Sequence, residues 1–333
     1  MNDINNQTIQ YQDKSIQYLL KALQRDKLPH ALLFTGIEGV GKLIAALQFS
    51  MVCNCENLPD VSLIHSSCGE CRSCLKFLSG QHPDIIKIKP DGNAVKISQI
   101  RMLRKQLTYK PVEAKNRFVI IMQAHLMTTE SANALLKILE EPPPRTRFIL
   151  IVENQKDVLQ TISSRCQQVR FRPLSDIFIE AYVMQNEDIK PEFARMIARL
   201  SFGSVIRAGL YQKIKWQTKR SYIFFRLKQF DRLSIGMRLS FAEQLAKNKD
   251  DIPLILEMIM TWFRDVLIYR FCPQRIINID YQNSIYENAK KYACQSVIEQ
   301  IEKVQTVQKD LLSNMNRRLA FEELTMSMIQ QKL

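Results

Sequence analysis

The chain has 333 residues, of which 46% are hydrophobic, and its 47 Lys and Arg outnumber its 33 Asp and Glu to give a formal charge of +14. This composition excludes a disordered or fibrous chain and leaves room for two or three folded domains. No apolar run reaches the roughly 18 residues of a membrane span, and the polar N-terminus does not have the form of a secretory signal. We therefore expect a cytoplasmic protein with no membrane partner, whose positive charge favours a nucleic acid or nucleotide partner.

The first half alternates short apolar runs with helical patterns. The predicted strands are HALLFTG, DIIKIKP, RFVIIMQ, RFILIVE and QQVRFRPL, at residues 30–36, 84–90, 117–123, 147–153 and 167–174. Helices are predicted to start near Gly41 and to span Ser131–Glu141, where three prolines end the pattern. Continuous apolar strands that alternate with helices predict a parallel sheet covered on both faces.

The segment FTGIEGVGKL, between the first strand and its helix, has the form of a phosphate-binding loop. Gly36, Gly39 and Gly41 allow backbone N–H groups to surround phosphates, and Lys42 is placed to pair with them. The next position requires a Ser or Thr hydroxyl to hold magnesium, but it is Leu43. The loop therefore predicts a phosphate-binding fold with a defective metal site.

The strand RFVIIMQ is the candidate for the acidic strand of such a fold. Gln123, Ala124 and His125 stand where a pair of acidic residues would hold the metal and polarise water. His125 is either a replacement base or, on the simpler interpretation, a structural residue. Without metal ligation and water activation, most of the electrostatic stabilisation of phosphoryl transfer is lost. We expect that any ATP bound here is not hydrolysed.

A cysteine-rich insertion at about residues 53–74 interrupts the strand–helix alternation. Its C-x-x-C-x-x-C run converges three thiolates on one centre, and a fourth thiolate would complete a closed, structural zinc site. The run consists of Cys68, Cys71 and Cys74, while Cys53, Cys55 and His65 are the candidates for the fourth ligand. Cys166, Cys272 and Cys294 are expected to be buried packing residues.

After Pro173 the pattern becomes helical, first as two short amphipathic segments and then, from about residue 211, without interruption. We predict boundaries near 172 and 210, which give domains 1–172, 173–210 and 211–333. The start of the last domain is rich in Lys and Arg and contains Trp216 and Phe224. It is either a nucleic-acid surface that combines charge with stacking, or a helix with a solvated basic face and an aromatic core face.

Three stretches together resemble bacterial clamp-loader subunits of the AAA+ class in order and spacing. They are LPHALLFTGIEGVGK, TTESANALLKILEEPPPRTRFIL and ISSRCQQVRFRPLS, and the resemblance covers residues 1 to about 210. It implies an α/β P-loop (AAA+) domain with a parallel sheet, a small helical lid domain and an all-α C-terminal collar domain. Because the acidic pair is missing, the chain resembles the stator type of clamp-loader subunit, which does not hydrolyse ATP.

The resemblance also implies roles for individual residues. Arg165, in SSRC, corresponds to an arginine finger that acts in trans at a neighbour's ATP site. Arg207 corresponds to a second Arg that faces the chain's own nucleotide, with a structural role as the alternative. Asn154 corresponds to a phosphate sensor, with a turn-forming role as the alternative. The sequence CEN favours Cys55 as the fourth zinc ligand, although the 12-residue gap to Cys68 is longer than is usual in the family.

The implied partners are the delta and gamma/tau subunits in a hetero-pentamer, and through that complex the beta sliding clamp and primer–template DNA. The assembly would use ATP to place the clamp on primed DNA during replication, as an accessory to a DNA polymerase. Two other functions remain open on the sequence alone. One is an ATP-hydrolysing gamma/tau-type subunit, and the other is a zinc-bearing adaptor that binds DNA directly.

Overall fold

Five parallel strands form the sheet that the strand–helix alternation predicts. The strands are β1 (Ala31–Thr35), β2 (Ile85–Ile88), β3 (Arg117–Ile121), β4 (Thr146–Ile151) and β5 (Gln167–Arg170). Their order across the sheet is β2-β3-β4-β1-β5, with every neighbouring pair parallel. All five residues of β1 and of β3 are buried, which agrees with their continuous apolar sequences. The computed structural model describes residues 13–25, 27–57, 67–186, 189–313 and 315–328.

Helices precede, connect and follow these strands. They are α1 (Asp13–Gln24), α2 (Lys42–Asn54), α3 (Arg72–Leu78), α4 (Ile97–Leu107), α5 (Thr129–Glu140), α6 (Gln160–Ser163) and α7 (Asp176–Val183). Short 3₁₀ turns occur at Ala124–Leu126 and Gln155–Asp157.

The sheet has a separate hydrophobic core on each face. One core places Leu33, Val119 and Leu150 of the sheet with Leu103 of α4 and Leu135 of α5. The other places Phe34, Phe118 and Ile149 with Ala46 and Phe49 of α2. Successive residues of one strand point to opposite faces, so Leu33 and Phe34 join different cores. The predicted parallel sheet with both faces covered is confirmed.

The chain divides into two compact units. The first comprises residues up to Gln185 together with Ser201–Arg207, and the second comprises Asn186–Leu200 with Ala208–Leu333. The three-domain division at 172 and 210 remains a prediction.

The second unit is helical. Its elements are α8 (Pro191–Leu200), α9 (Val205–Tyr211, which starts in the first unit), α10 (Ile214–Lys228), α11 (Ile235–Ala246), α12 (Ile252–Tyr269), α13 (Gln282–Lys291), α14 (Cys294–Leu312) and α15 (Arg317–Ser327). Among the described residues of this unit, 3₁₀ turns lie at Phe230–Arg232, Lys249–Asp251, Pro273–Arg275 and Ile279–Tyr281. The expectation that Cys272 and Cys294 are core residues is wrong, because both lie just outside or at a helix end and are only partly buried.

The basic helix α10 buries its aromatic side. Trp216 and Phe224 are 5% and 0% exposed. Between them Arg220 is also buried, and its guanidinium forms a forked ion pair with both carboxylate oxygens of Asp280 at 2.6 and 2.8 Å. The Arg220 guanidinium also lies 4.5 Å from the centroid of the Phe224 ring. These aromatic rings are core residues and are not available to stack on bases.

Within the part of the chain that the structure describes, no helix combines the length and the apolar character needed to cross a membrane.

Asp84 connects β2 to the loop before β3. Its buried carboxylate accepts N–H groups of Val112, Glu113 and Ala114 at 2.8–2.9 Å and lies 3.4 Å from the Arg117 guanidinium. Burial alone would raise the pKa of Asp84, but the three N–H donors and Arg117 outweigh it and hold the pKa below its ordinary value of 3.8. A folded-state pKa that is lowered contributes stability above the unfolded pKa, and this stability is lost as the pH falls.

We predict that Asp84→Asn lowers the free energy of unfolding at pH 7 by about 2–4 kcal/mol, because an amide N–H₂ cannot accept from these donors. The loss should begin to shrink as the pH falls below about 4, where the carboxylate of the unfolded chain takes up a proton, and it should disappear once the pH is below the lowered folded-state pKa. Urea unfolding followed by far-UV circular dichroism at several pH values measures both effects. Asp91→Asn is the control, because Asp91 is 66% exposed in a surface ion pair with Lys96 and should change the stability little.

Candidate functional site

The phosphate loop connects the end of β1 to the start of α2, as the sequence predicts. Its three glycines have φ angles of 141°, 82° and 92° at Gly36, Gly39 and Gly41, in the region that side chains disfavour. A Cβ at Gly36 would lie 2.5 Å from the carbonyl oxygen of Phe171, just beyond β5. The glycines are therefore required by the backbone of the loop and by its close packing.

Lys42 is folded back onto this loop. The residue is 7% exposed, and its ammonium donates to the carbonyl oxygen of Ile37 at 2.8 Å and to that of Gly36. Burial lowers the pKa of Lys42, while the charges of Glu153 and Glu38 act in the opposite direction. Two of the three N–H donors of the Lys42 ammonium therefore already bond within the loop.

The segment before and at the start of α9 lies against the loop. The Val205 N–H donates to the Gly39 carbonyl oxygen at 3.0 Å. A Cβ at Gly39 would come within 2.2 Å of the Ser204 hydroxyl oxygen. Arg207 follows within the first turn of α9, and its guanidinium lies 5.8 Å from the centroid of the Phe202 ring. The structure thus brings the segment that carries Arg207 to the phosphate loop, while a role for this residue toward nucleotide remains a prediction.

No carboxylate follows β3. The strand ends at Ile121, and the next residues are Met122 and an exposed Gln123, which has a left-handed φ of 49°. His125 sits in the 3₁₀ turn and is partly buried, with no hydrogen-bond partner for Nδ1 among the described residues. Leu43 packs against the core beside α2. The described residues at these positions include neither the carboxylates nor, at position 43, the hydroxyl that hold magnesium in a phosphate-loop fold.

The end of β4 also meets the phosphate loop. The Gly36 N–H donates to the backbone carbonyl of Glu153 at 2.9 Å. Asn154 is exposed and starts the 3₁₀ turn, where its N–H donates to the Asp157 carboxylate at 2.9 Å. This geometry supports the turn-forming interpretation of Asn154.

Arg165 lies at the surface, after α6. Its guanidinium donates from Nη2 to Glu140 Oε1 at 2.8 Å and from Nη1 to the Thr161 carbonyl oxygen at 3.0 Å. The Arg165 side chain is 37% exposed. The preceding Ile162 is fully buried and anchors this turn to the sheet, while Cys166 packs partly buried against the same core. Arg165 is therefore accessible to another chain and is held by a fixed base.

Four cysteines converge in the insertion. The Sγ atoms of Cys55, Cys68, Cys71 and Cys74 all lie within 4.8 Å of one another. The Cys55–Cys68 and Cys68–Cys74 Sγ separations are 3.5 and 3.8 Å. Tetrahedral coordination with Zn–S bonds of 2.3 Å requires Sγ atoms about 3.8 Å apart. The arrangement fits a Zn²⁺ ion bound by four thiolates, which leaves no open coordination position.

Backbone N–H groups support these sulfurs. The N–H of Cys71 points to Cys68 Sγ at 3.3 Å, and the N–H of Cys74 points to Cys71 Sγ at 3.4 Å. Backbone N–H groups of Cys71 and Glu70 lower the pKa of Cys68 to about 6. A thiol that is ionised at neutral pH is the form that binds a metal.

Cys53 does not join the cluster. It is 4% exposed within the core on the α2 face of the sheet, and burial raises the pKa of its thiol to about 12. The structure therefore places Cys55, not Cys53, with the C-x-x-C-x-x-C run. His65, the remaining candidate, lies outside the described residues.

Comparison with known proteins identifies the family. A family model described as "DNA polymerase III, delta subunit" matches residues 11–175, and one described as "DNA polymerase III, delta subunit, C terminal" matches residues 215–329. The DNA polymerase III subunit delta′ of Bacillus subtilis is 31% identical over 325 residues, which cover 96% of each chain. This chain belongs to the DNA polymerase III delta-prime subunit family.

Other relatives are more distant or match in part. The delta-prime subunit of Escherichia coli is 27% identical, over 92% of this chain and 90% of the relative. The tau subunit of B. subtilis is also 27% identical, over 93% of this chain but only 59% of tau. A gamma subunit-related protein of Thermotoga maritima has a similar structure, with 18% identity, a TM-score of 0.48, and coverage of 92% of this chain and 97% of that chain.

Delta-prime membership and the five-stranded parallel sheet with its phosphate loop confirm the expected AAA+ P-loop fold with a helical C-terminal region. Two contacts of the site were not predicted from the sequence. They are the ion pair of Arg165 with Glu140 and the bond from Val205 to Gly39. The acidic end of NALLKILEE was the only indication of the first, and it does not specify which glutamate faces Arg165.

We predict that Cys55→Ser abolishes stoichiometric zinc binding by the purified chain, because three thiolates leave the tetrahedral site incomplete. Metal content measured by inductively coupled plasma mass spectrometry should fall from about one zinc per chain toward zero. Cys53→Ala is the matched control two residues away and should keep the metal. Loss of zinc in the control but not in Cys55→Ser would contradict the assignment.

Proposed function

We propose that this chain is the stator of a clamp loader, a delta-prime subunit that does not hydrolyse ATP and that supplies Arg165 in trans to a neighbour's ATP site. The observation that carries the proposal is a phosphate loop without a magnesium ligand, combined with an Arg at the surface after α6. The missing magnesium ligand argues against ATP hydrolysis by this chain. The surface Arg could take part in ATP hydrolysis by a neighbouring subunit.

A guanidinium is suited to this task. It stays charged at all physiological pH values and forks onto phosphate oxygens, so it offsets the charge that develops on the transferred phosphoryl group. Such fingers contribute about 10³ to 10⁵ in rate. The exposed position of Arg165 supports this role, since a finger has to reach beyond its own chain.

The partners follow from the family. We propose assembly with delta and gamma/tau subunits into a hetero-pentamer, which acts on the beta sliding clamp and primer–template DNA during replication. The helical second unit would supply the oligomerisation collar. Zinc at Cys55, Cys68, Cys71 and Cys74 would fix the insertion structurally, because four thiolates saturate the ion.

The two alternative functions are less well supported. A gamma/tau-type ATPase needs an acidic residue after β3, where the structure has Met122 and Gln123. A DNA-binding adaptor that stacks bases on Trp216 and Phe224 needs those rings exposed, and they are buried. The neighbouring Phe225 of α10 differs from these two residues, because it is 55% exposed.

We predict that Arg165→Ala leaves the reconstituted loader assembled but lowers ATP turnover at the adjacent site by about 10³-fold. The total ATP turnover of the loader, stimulated by clamp and DNA, should fall by the fraction that the adjacent site contributes. Size-exclusion chromatography checks assembly, and a coupled assay of phosphate release measures turnover. Lys156→Ala, which removes an exposed cation of the turn after β4, is the control. Equal turnover in wild type and Arg165→Ala would exclude the finger.

We predict that the isolated chain releases no phosphate from ATP above the buffer rate, and that Lys42→Ala does not change this. The physical reason is the missing metal ligand and acidic pair. Equilibrium binding of a fluorescent ATP analogue to wild type and Lys42→Ala tests separately whether the loop still holds nucleotide. Steady turnover that disappears in Lys42→Ala would support the gamma/tau-type function instead.

A further inference from the structure

Arg165 is held by two acceptors from different parts of the chain. Glu140 is the last residue of α5, and Thr161 lies in α6, so the guanidinium joins the ends of two helices. The Thr161 carbonyl also accepts the Ser164 hydroxyl at 3.1 Å, and Ile162 beside it is fully buried. The acceptors therefore sit on elements that are themselves fixed to the core.

The geometry leaves part of the guanidinium free for a ligand. An Arg side chain has five N–H donors in a planar fork. Glu140 takes one hydrogen of Nη2 and Thr161 one hydrogen of Nη1, each through a single oxygen. Three N–H groups are not used by these two bonds. A neighbour's phosphate oxygen can bond to them while both acceptors stay in place.

We infer that Glu140 is a positioning residue for Arg165, a role that rests on the finger function proposed above. An Arg side chain loses conformational entropy when it is fixed in one rotamer. Glu140 and the Thr161 carbonyl restrict Arg165 before a neighbour's triphosphate arrives, so less of this entropy is lost when the finger engages. The effect belongs to the rate of the chemical step and not to ATP affinity.

The competing effect of a carboxylate is repulsion of the incoming phosphate. Glu140 is 50% exposed, so water screens its charge strongly. The positive charge of the guanidinium, 2.8 Å away, also offsets the negative charge of the Glu140 carboxylate that a phosphate would meet. Positioning therefore outweighs repulsion here, and removing the carboxylate should slow the neighbour's reaction.

The test measures the Arg165-dependent turnover of the reconstituted loader, which is the difference between wild type and Arg165→Ala. Glu140→Ala should lower this turnover about three- to fivefold, the effect of losing one exposed ion pair, with the KM for ATP within about twofold of wild type. Glu140→Gln keeps an oxygen that accepts from Nη2 of Arg165. This variant should retain more than half of the Arg165-dependent turnover. Glu141→Ala is the matched control, since Glu141 is exposed and adjacent but is not the ion-pair partner of Arg165.

Three outcomes would contradict the inference. Glu140→Ala turnover equal to or above wild type, with Arg165→Ala reduced, overturns positioning by Glu140 and leaves the finger intact. A further decrease when Glu140→Ala is added to Arg165→Ala shows that Glu140 does not act through Arg165. If Arg165→Ala itself is silent, the finger and the positioning role fail together. Circular dichroism of each variant checks that the fold is retained.

Discussion

Charge compensation around phosphate is the constraint on which the rest of the site depends. Phosphoryl transfer relies on a cation, a metal and an oriented nucleophile at one site. In this chain Lys42 donates to the carbonyls of its own loop, the side chain of Leu43 has no metal-binding atom, and the described residues directly after β3 include no carboxylate. The glycines of the loop also allow close packing, of Gly36 against Phe171 and of Gly39 against Ser204.

The same fold places the Arg165 guanidinium at the surface. The segment between β4 and β5 contains α6, and its buried residue Ile162 fixes the base of Arg165. Because the sheet is parallel, the phosphate loop and the residues after β3 and β4 lie at one edge. The function proposed for Arg165 does not depend on hydrolysis at the chain's own phosphate loop.

Buried polar groups fix the backbone within each of the two units. Asp84 accepts three backbone N–H groups before β3, and in the helical unit the fully buried Asp265 accepts the N–H groups of Ile277 and Asn278. Arg220 is enclosed by Asp280 and aromatic rings. Each of these groups is costly to bury alone, so its partners specify one arrangement of the backbone.

The sequence by itself determined the strands, the phosphate loop, the missing acidic pair and the cysteine run, because each depends on residues close together in the chain. Apolar runs between turn residues predicted all five strands within a few residues of their bounds.

Tertiary structure decided which distant groups meet. It placed Cys55 with the cluster and Cys53 in the core, although the two lie only two residues apart, because the side chain of Cys53 faces the sheet and Cys55 follows the end of α2. It also decided that Trp216 and Phe224 are buried and that Glu140 pairs with Arg165 across 25 residues. Such pairings depend on how helices pack, and a periodic pattern records the buried face of a helix but not the partner that covers it.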